Sequence, residues 1–262
     1  MKTRKRAFLD IVLYLFAFLG IQIGVMAVII LITGTRNLTP SATTLSTLIS
    51  SALTIVLFQW RRWTPCTGAY INTRPWFTLF WVVCLAIGLI APVSYLTEVL
   101  GFTMSDTFTQ FFKGILGDNL GFLAVGIVGP IAEEYVFRGA ILRVLADTLG
   151  KRGRWAAIAT SAVLFAAVHG NMAQGLGALI IGVILGWMYV RTGSIVPGVV
   201  LHWVNNSVAV FQYRLMPQSA DMQFADFFGG DMKRVALAIV FSLMIVGASL
   251  FQLNMRLEKP RQ

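Results

Sequence analysis

Charged side chains are scarce in this sequence: Asp, Glu, Lys and Arg account for only 12% of its 262 residues, whereas 57% are hydrophobic. A soluble domain of this size needs more polar surface to cover its core. Apolar runs of about 20 residues recur along the chain, and this length crosses a hydrocarbon layer of about 30 Å. The composition therefore excludes an ordinary soluble domain and predicts an all-α polytopic membrane protein.

Cysteine is nearly absent, and the usual metal motifs are missing. The two cysteines, Cys66 in a predicted loop and Cys84 in a predicted span, should lie at different depths and so make a poor disulfide pair. There is no Cys-x-x-Cys and no His-Glu-x-x-His. The sequence thus excludes a disulfide framework and the helical zinc-protease motif.

Acidic residues are also few, 11 against 21 Lys and Arg, which gives a net charge of +10. In a soluble protein this excess would suggest nucleic acid as a partner. Here the basic residues cluster at the ends of apolar segments, as orientation in a membrane requires. We therefore expect the lipid bilayer as a partner and no nucleic acid.

Eight apolar segments predict about eight transmembrane helices around a site in the bundle core. The first is too long for a cleaved signal peptide and lacks a small-residue cleavage site, so we expect it to remain as a span. No repeat or linker divides the chain, which predicts a single domain over 1–262 with a motif-bearing core at about 120–211. The predicted spans are 8–32, 42–60, 76–96, 120–145, 155–169, 176–190, 195–211 and 235–253.

The distribution of basic residues predicts the orientation. With alternating spans, five of the 21 Lys and Arg residues fall on the outer side, Arg138 lies inside the fourth span, and the remaining fifteen are cytoplasmic. This bias follows the positive-inside rule and predicts cytoplasmic N- and C-termini. The short loops and the basic N-terminus indicate a bacterial inner membrane. The outer residues are Arg36, Lys113, Arg214, Lys233 and Arg234.

Two adjacent carboxylates, Glu133 and Glu134, and Arg138 interrupt the fourth apolar segment. A charge at bilayer depth costs at least about 2.5–3.5 kcal/mol on insertion scales, so such groups usually face a bundle interior and have a function. Glu134 and Arg138 are four residues apart and predict an ion pair, which could be purely structural. Glu133 lies about 100° around the helix from Glu134, so Arg138 cannot pair with both carboxylates equally well.

The chain has only two histidines, His169 and His202, and both lie in apolar segments. His202 and Asn206 are four residues apart and should share a helix face. Together with a glutamate they supply a base, a proton donor and hydrogen-bond donors for an oxyanion, the groups that amide hydrolysis needs. The residues alone do not show which glutamate would be the base.

These residues, in this order on successive apolar segments, resemble the CPBP (Abi) family of intramembrane glutamic endopeptidases. That family includes the type II CAAX prenyl endopeptidases and bacterial relatives linked to bacteriocin processing and self-immunity. The three motifs that carry the resemblance are Glu133-Glu134-x-x-x-Arg138, Phe165-x-x-x-His169 and His202-x-x-x-Asn206.

The resemblance implies that Glu133 and His169 activate a water molecule, while His202 and Asn206 stabilise the oxyanion. We expect no cofactor. The substrate would be a membrane-associated peptide or protein, including a lipidated or CAAX-like one. The supporting residues that it implies are Glu134, Arg138 and Phe165.

Three other interpretations remain open from the residues. Two histidines and a glutamate can complete a catalytic zinc site, although no metal is favoured here. Intramembrane carboxylates and histidines also occur in transporters and proton relays. A non-catalytic scaffold or bacteriocin-immunity protein on the same fold would keep the motifs without hydrolysing a substrate. The sequence leaves the oligomeric state open.

Overall fold

The computed structural model describes residues 3–258, and no strand occurs within that range. Met1 and the basic residues Lys2, Lys259 and Arg261, which enter the predicted topology, lie outside the described residues. The helices are α1 Arg4–Thr33, α2 Pro40–Trp60, α3 Ala69–Asn72, α4 Trp76–Val99, α5 Asp106–Gly117, α6 Phe122–Leu149, α7 Arg154–Ala167, α8 Met172–Thr192, α9 Val196–Leu215 and α10 Met232–Arg256. Two short 3₁₀ turns, Pro217–Ala220 and Phe224–Phe228, precede α10.

Side-chain caps explain where several of these helices begin. The Thr39 hydroxyl accepts a hydrogen bond from the backbone N–H of Ala42, and Pro40 occupies the first position of α2, where its missing N–H costs nothing. The Asn171 side chain accepts from the N–H of Gln174 at the start of α8. That helix ends at Gly193, whose φ of 68° is left-handed and needs a glycine.

Five helices, α1, α2, α4, α8 and α10, are long and apolar enough to cross a membrane, and α5 with α6 would make a sixth if the bent pair is one span. All eight predicted segments are helical, but a count of eight spans is not confirmed. At about 1.5 Å per residue, the 14 residues of α7 reach only about 21 Å. Polar side chains, His202, Asn205 and Asn206 among them, make α9 less apolar.

The axes of α5 and α6 differ by 96°. The sequence predicted a connection before the fourth span. In the structure this connection contains the 12-residue helix α5. The Ser41 hydroxyl donates to the Asp118 carboxylate at 2.6 Å, and this bond lowers the pKa of that carboxyl. From α9, the Arg214 guanidinium donates to the backbone oxygens of Asp118 at 2.8 Å and Leu116 at 3.4 Å. These bonds hold the corner at which α6 begins.

The long helix α6 lies at the centre of the bundle, where it contacts α1, α2, α5, α7, α8 and α9. Residues 136–142 of this helix are all buried, including Phe137 and Ile141. The hydroxyl of Ser161 on α7 donates to the backbone oxygen of Phe137 at 2.9 Å. Because α6 also carries both glutamates, the packing places those carboxylates inside the protein.

The contact between α4 and α10 depends on the absence of a side chain at Gly88. A Cβ there would lie 3.0 Å from Cγ2 of Ile245 and 3.1 Å from Cγ2 of Val246. A leucine would force the helices apart, and overpacking of this kind costs about 1–3 kcal/mol. We expect Gly88→Leu to lower the thermal midpoint of the detergent-purified protein by roughly 2–10 °C.

Gly20→Leu is the matched control for this substitution, because nothing lies within 4 Å of a Cβ at Gly20 on α1. Its midpoint should stay within about 2 °C of the wild type, since an isolated surface change rarely exceeds 0.5 kcal/mol. Equal midpoints for both variants would contradict the close α4–α10 packing.

Candidate active site

The two glutamates lie in a short α-helical stretch of α6 between two π-helical stretches. Phe122–Val128 is π-helical, Gly129–Glu134 is α-helical, and Tyr135–Leu142 is π-helical again. The wider turns show in backbone bonds that span five residues, such as Gly129 N–H to the oxygen of Ala124. Such turns often occur at functional sites. The sequence analysis did not predict them, although Pro130 lacks a backbone N–H and so interrupts the α-helical hydrogen-bond ladder.

Glu134 and Arg138 form the ion pair that their spacing predicted. Arg138 Nη1 lies 2.7 Å from Glu134 Oε1, and both side chains are almost fully buried. The guanidinium carbon lies 4.2 Å from the centre of the Phe165 ring, which adds a cation–π contact from α7. A second guanidinium nitrogen reaches the backbone oxygen of Gly182 on α8 at 3.5 Å. The arginine is thereby held by three helices.

Gly198, near the start of α9, makes room for the Glu134 carboxylate. A Cβ at this position would lie only 2.5 Å from Glu134 Oε2. The sequence analysis did not identify Gly198, and its type alone gives no signal. Its role follows from the close approach of α9 to α6.

The imidazole of His202 lies between the two carboxylates. Its Nε2 is 3.5 Å from Glu133 Oε2, and its Nδ1 is 3.4 Å from Glu134 Oε1. The Phe165 ring meets the imidazole edge to face, with 5.7 Å between the ring centres. The sequence predicted that His202 and the glutamates share a site, but not that one imidazole touches both.

His169 lies in the turn after α7. Its Nδ1 is 2.8 Å from the backbone oxygen of Phe165, and because a carbonyl only accepts, Nδ1 carries the proton. The other ring nitrogen, Nε2, then presents a lone pair. The Phe165 ring packs edge to face on this imidazole at 4.9 Å, so Phe165 contacts both histidines.

Asn206 follows His202 by one helical turn but is bonded to the backbone of α6. Its Nδ2 donates to the oxygen of Val125 at 3.0 Å, in the first π-helical stretch. Its Oδ1 accepts from the amide of the adjacent Asn205 at 3.3 Å. The Asn206 side chain has no described contact with the other predicted site residues. Those six are connected with each other by the contacts given above: Glu133, Glu134, Arg138, Phe165, His169 and His202.

The two carboxylates differ in exposure. The side chain of Glu133 is 28% exposed, whereas that of Glu134 is fully buried. Of the two, Glu133 is therefore the carboxylate that a small molecule could reach, a distinction that the sequence left open. Among the described residues, no three His, Cys, Asp or Glu side chains are grouped so that they could hold a metal ion.

These features define an integral membrane protein of the helical-bundle class, with carboxylates and histidines converging in the bundle. The segment 116–208 matches the family described as Type II CAAX prenyl endopeptidase Rce1-like. This match supports the CPBP, or CAAX protease, family that the three motifs predicted, and a likeness to that family supports an intramembrane protease activity in general. Comparisons with curated proteins and with solved structures gave no match.

Removing one partner of the buried ion pair should be costly. We expect Arg138→Met to destabilise the protein by about 3–5 kcal/mol, because it leaves Glu134 buried without a counter-charge. The double variant Glu134→Gln/Arg138→Met should recover part of that loss, since no charge then remains unpaired. Thermal unfolding of the detergent-purified variants measures both effects. A double variant less stable than Arg138→Met would contradict this view of the pair.

Proposed function

We propose that this protein is an intramembrane endopeptidase that hydrolyses a peptide bond of a membrane-associated substrate. The observation that carries the proposal is the difference between the two adjacent carboxylates. Glu134 is buried on Arg138, whereas Glu133 is partly exposed beside His202. One carboxylate is thus neutralised within the fold, and the other remains available for chemistry.

In this proposal Glu133 and His169 activate the attacking water. A general base must have a free lone pair within reach of the proton that it removes. The carboxylate of Glu133 offers one, and His169 offers another at Nε2 because its Nδ1 proton is engaged by the oxygen of Phe165. After attack, the protonated base can return the proton to the leaving nitrogen.

His202 and Asn206 are proposed as donors for the oxyanion. The Asn206 amide has two N–H bonds, and Val125 takes only one of them. His202 can donate from the ring nitrogen that carries its proton. Donors fixed on α9 would stabilise the negative charge that develops on the carbonyl oxygen.

Glu134, Arg138 and Phe165 are proposed to support these groups. The ion pair fixes the turn of α6 that follows Glu133, and Phe165 separates the two imidazoles by packing against each. We propose no metal or other cofactor. The proposed substrates are membrane peptides or proteins, including lipidated or CAAX-like ones, and the proposed location is a bacterial inner membrane with both termini in the cytoplasm.

Cleavage of a panel of quenched fluorescent lipidated peptides by the purified protein tests this function. We expect Glu133→Gln and His169→Ala each to lower the rate by about 10²–10⁴-fold, the usual contribution of a general base. A chelator should leave the wild-type rate unchanged. Glu98→Gln is the matched control, because this carboxylate contacts the backbone of Ala225, outside the proposed site, and its rate should equal that of the wild type.

Two outcomes would contradict the proposal. If folded wild-type protein cleaves none of the peptides, the non-catalytic scaffold or immunity protein becomes the better explanation. If chelation abolishes cleavage and zinc is bound near one ion per chain, the reaction depends on a metal and the proposed water activation is wrong.

The oxyanion role of Asn206 has its own test. Asn206→Ala should lower kcat by about 10²-fold with little change in KM, because the lost bond forms mainly in the transition state. Asn37→Ala, in the exposed connection after α1, is the control and should keep the wild-type kcat. A rise in KM with unchanged kcat would instead assign Asn206 to substrate binding.

A further inference from the structure

The connection between α2 and α3 reaches into the bundle beside the glutamates. It is anchored at the end of α2, where the backbone N–H of Trp63 donates to the oxygen of Phe58 at 2.9 Å. The Trp63 ring also packs on Phe58 and Tyr14, with 5.0 Å between ring centres in each case. The next residue, Thr64, is 1% exposed although it lies in a loop. This connection lies outside the segment that matches the family.

The Thr64 hydroxyl donates a hydrogen bond to the backbone oxygen of Tyr135. Tyr135 directly follows Glu134 and is the first residue of the second π-helical stretch. Helices depart from regular geometry where a side chain enters their backbone hydrogen-bond ladder. The hydroxyl therefore meets α6 at the residue where its backbone changes from α-helical to π-helical.

Gly139 provides the space for this side chain. A Cβ at Gly139 would overlap the Thr64 side chain. One turn further on, the Arg143 guanidinium donates to the oxygen of Trp63 at 2.7 Å and to that of Gly139 at 3.0 Å. The loop is thus bonded to both ends of the π-helical stretch.

We propose that Thr64 is a positioning residue for the hydrolysis, one that holds the π-helical turn and thereby sets the direction of Glu133. A backbone hydrogen bond of the π-helical stretch spans five residues instead of the four of an α-helix, so the stretch holds one extra residue. If the stretch became α-helical, the glutamates would rotate by about 100° relative to the Arg143 end of α6. Glu133 would then leave His202. This inference rests on the proposed function, because Thr64 acts only through groups assigned there.

Two substitutions separate the hydroxyl from the shape of the side chain. Thr64→Val keeps the shape and removes the donor, whereas Thr64→Ser keeps the donor and removes the methyl group. We expect Thr64→Val to lower kcat about 10- to 100-fold at nearly constant KM, because small misplacements of reacting groups have effects of this size. Thr64→Ser should stay within about threefold of the wild type, since the bond to Tyr135 remains.

Gly88→Leu serves as the control for a general loss of stability. It disturbs the α4–α10 contact, away from the glutamates, and should lower the thermal midpoint while the folded protein keeps its kcat. A wild-type kcat in Thr64→Val would overturn the inference. An equal loss of kcat in Thr64→Val and Thr64→Ser would also overturn it, because the methyl group rather than the hydrogen bond would then matter.

Hydrogen exchange of α6 tests the same contact without any substrate. Thr64→Val should speed exchange in the peptide that covers Tyr135–Leu142, and Thr64→Ser should not. If the wild type cleaves nothing but this difference is seen, the proposed function fails while the control of the turn by Thr64 stands. If exchange is the same in the wild type and both variants, the turn does not depend on the hydroxyl, and the inference is wrong.

Discussion

The buried ion pair between Glu134 and Arg138 is the constraint on which the rest of the bundle depends. Neither charge can be solvated by water at that depth, so each requires partners that the protein must supply. Arg138 lies against Phe165 of α7 and near the backbone of Gly182 on α8. Glu134 occupies the space above Gly198 on α9. A single pair on α6 therefore requires three neighbouring helices to lie close around it.

The same pair makes two neighbouring glutamates chemically different. Arg138 lies within hydrogen-bond distance of Glu134 but cannot serve Glu133 in the same way, because the two carboxylates leave the helix in different directions. Glu133 retains contact with solvent and with His202. Two adjacent residues of the same type thus differ in environment: Glu134 is paired within the fold, and Glu133 remains an available carboxylate.

Much of this arrangement could be predicted from residue type and spacing. All eight apolar segments are helical, and the four-residue spacing identified the Glu134–Arg138 pair. His202 lies against both glutamates, and His169 is connected to His202 through the Phe165 ring. These features depend on hydropathy and helical periodicity, which a sequence displays directly. The number of spans was less predictable, because a helix such as α7 can be apolar and yet be too short to cross a bilayer.

The features that the sequence could not reveal involve backbone atoms and distant partners. Thr64 bonds to a carbonyl 71 residues away, and Asn206 to one 81 residues away. A carbonyl oxygen is present at every residue, so nothing in the sequence distinguishes the one that accepts. The π-helical stretches share this property, since they follow from tertiary contacts more than from local propensity.

The helices α9 and α6 run in opposite directions and contact each other at successive positions along their length. Gly198 lies at Glu134, His202 at both carboxylates and Asn206 at Val125, while Arg214 binds the corner before α6. These contacts hold the two helices together at several levels. For the peptide substrate that we propose, a path between α9 and α6 would break these contacts together. The turn that carries His169 is instead held by hydrogen bonds within its own segment, such as those from the N–H of His169 to the oxygen of Ala166 and from Asn171 Nδ2 to the oxygen of His169.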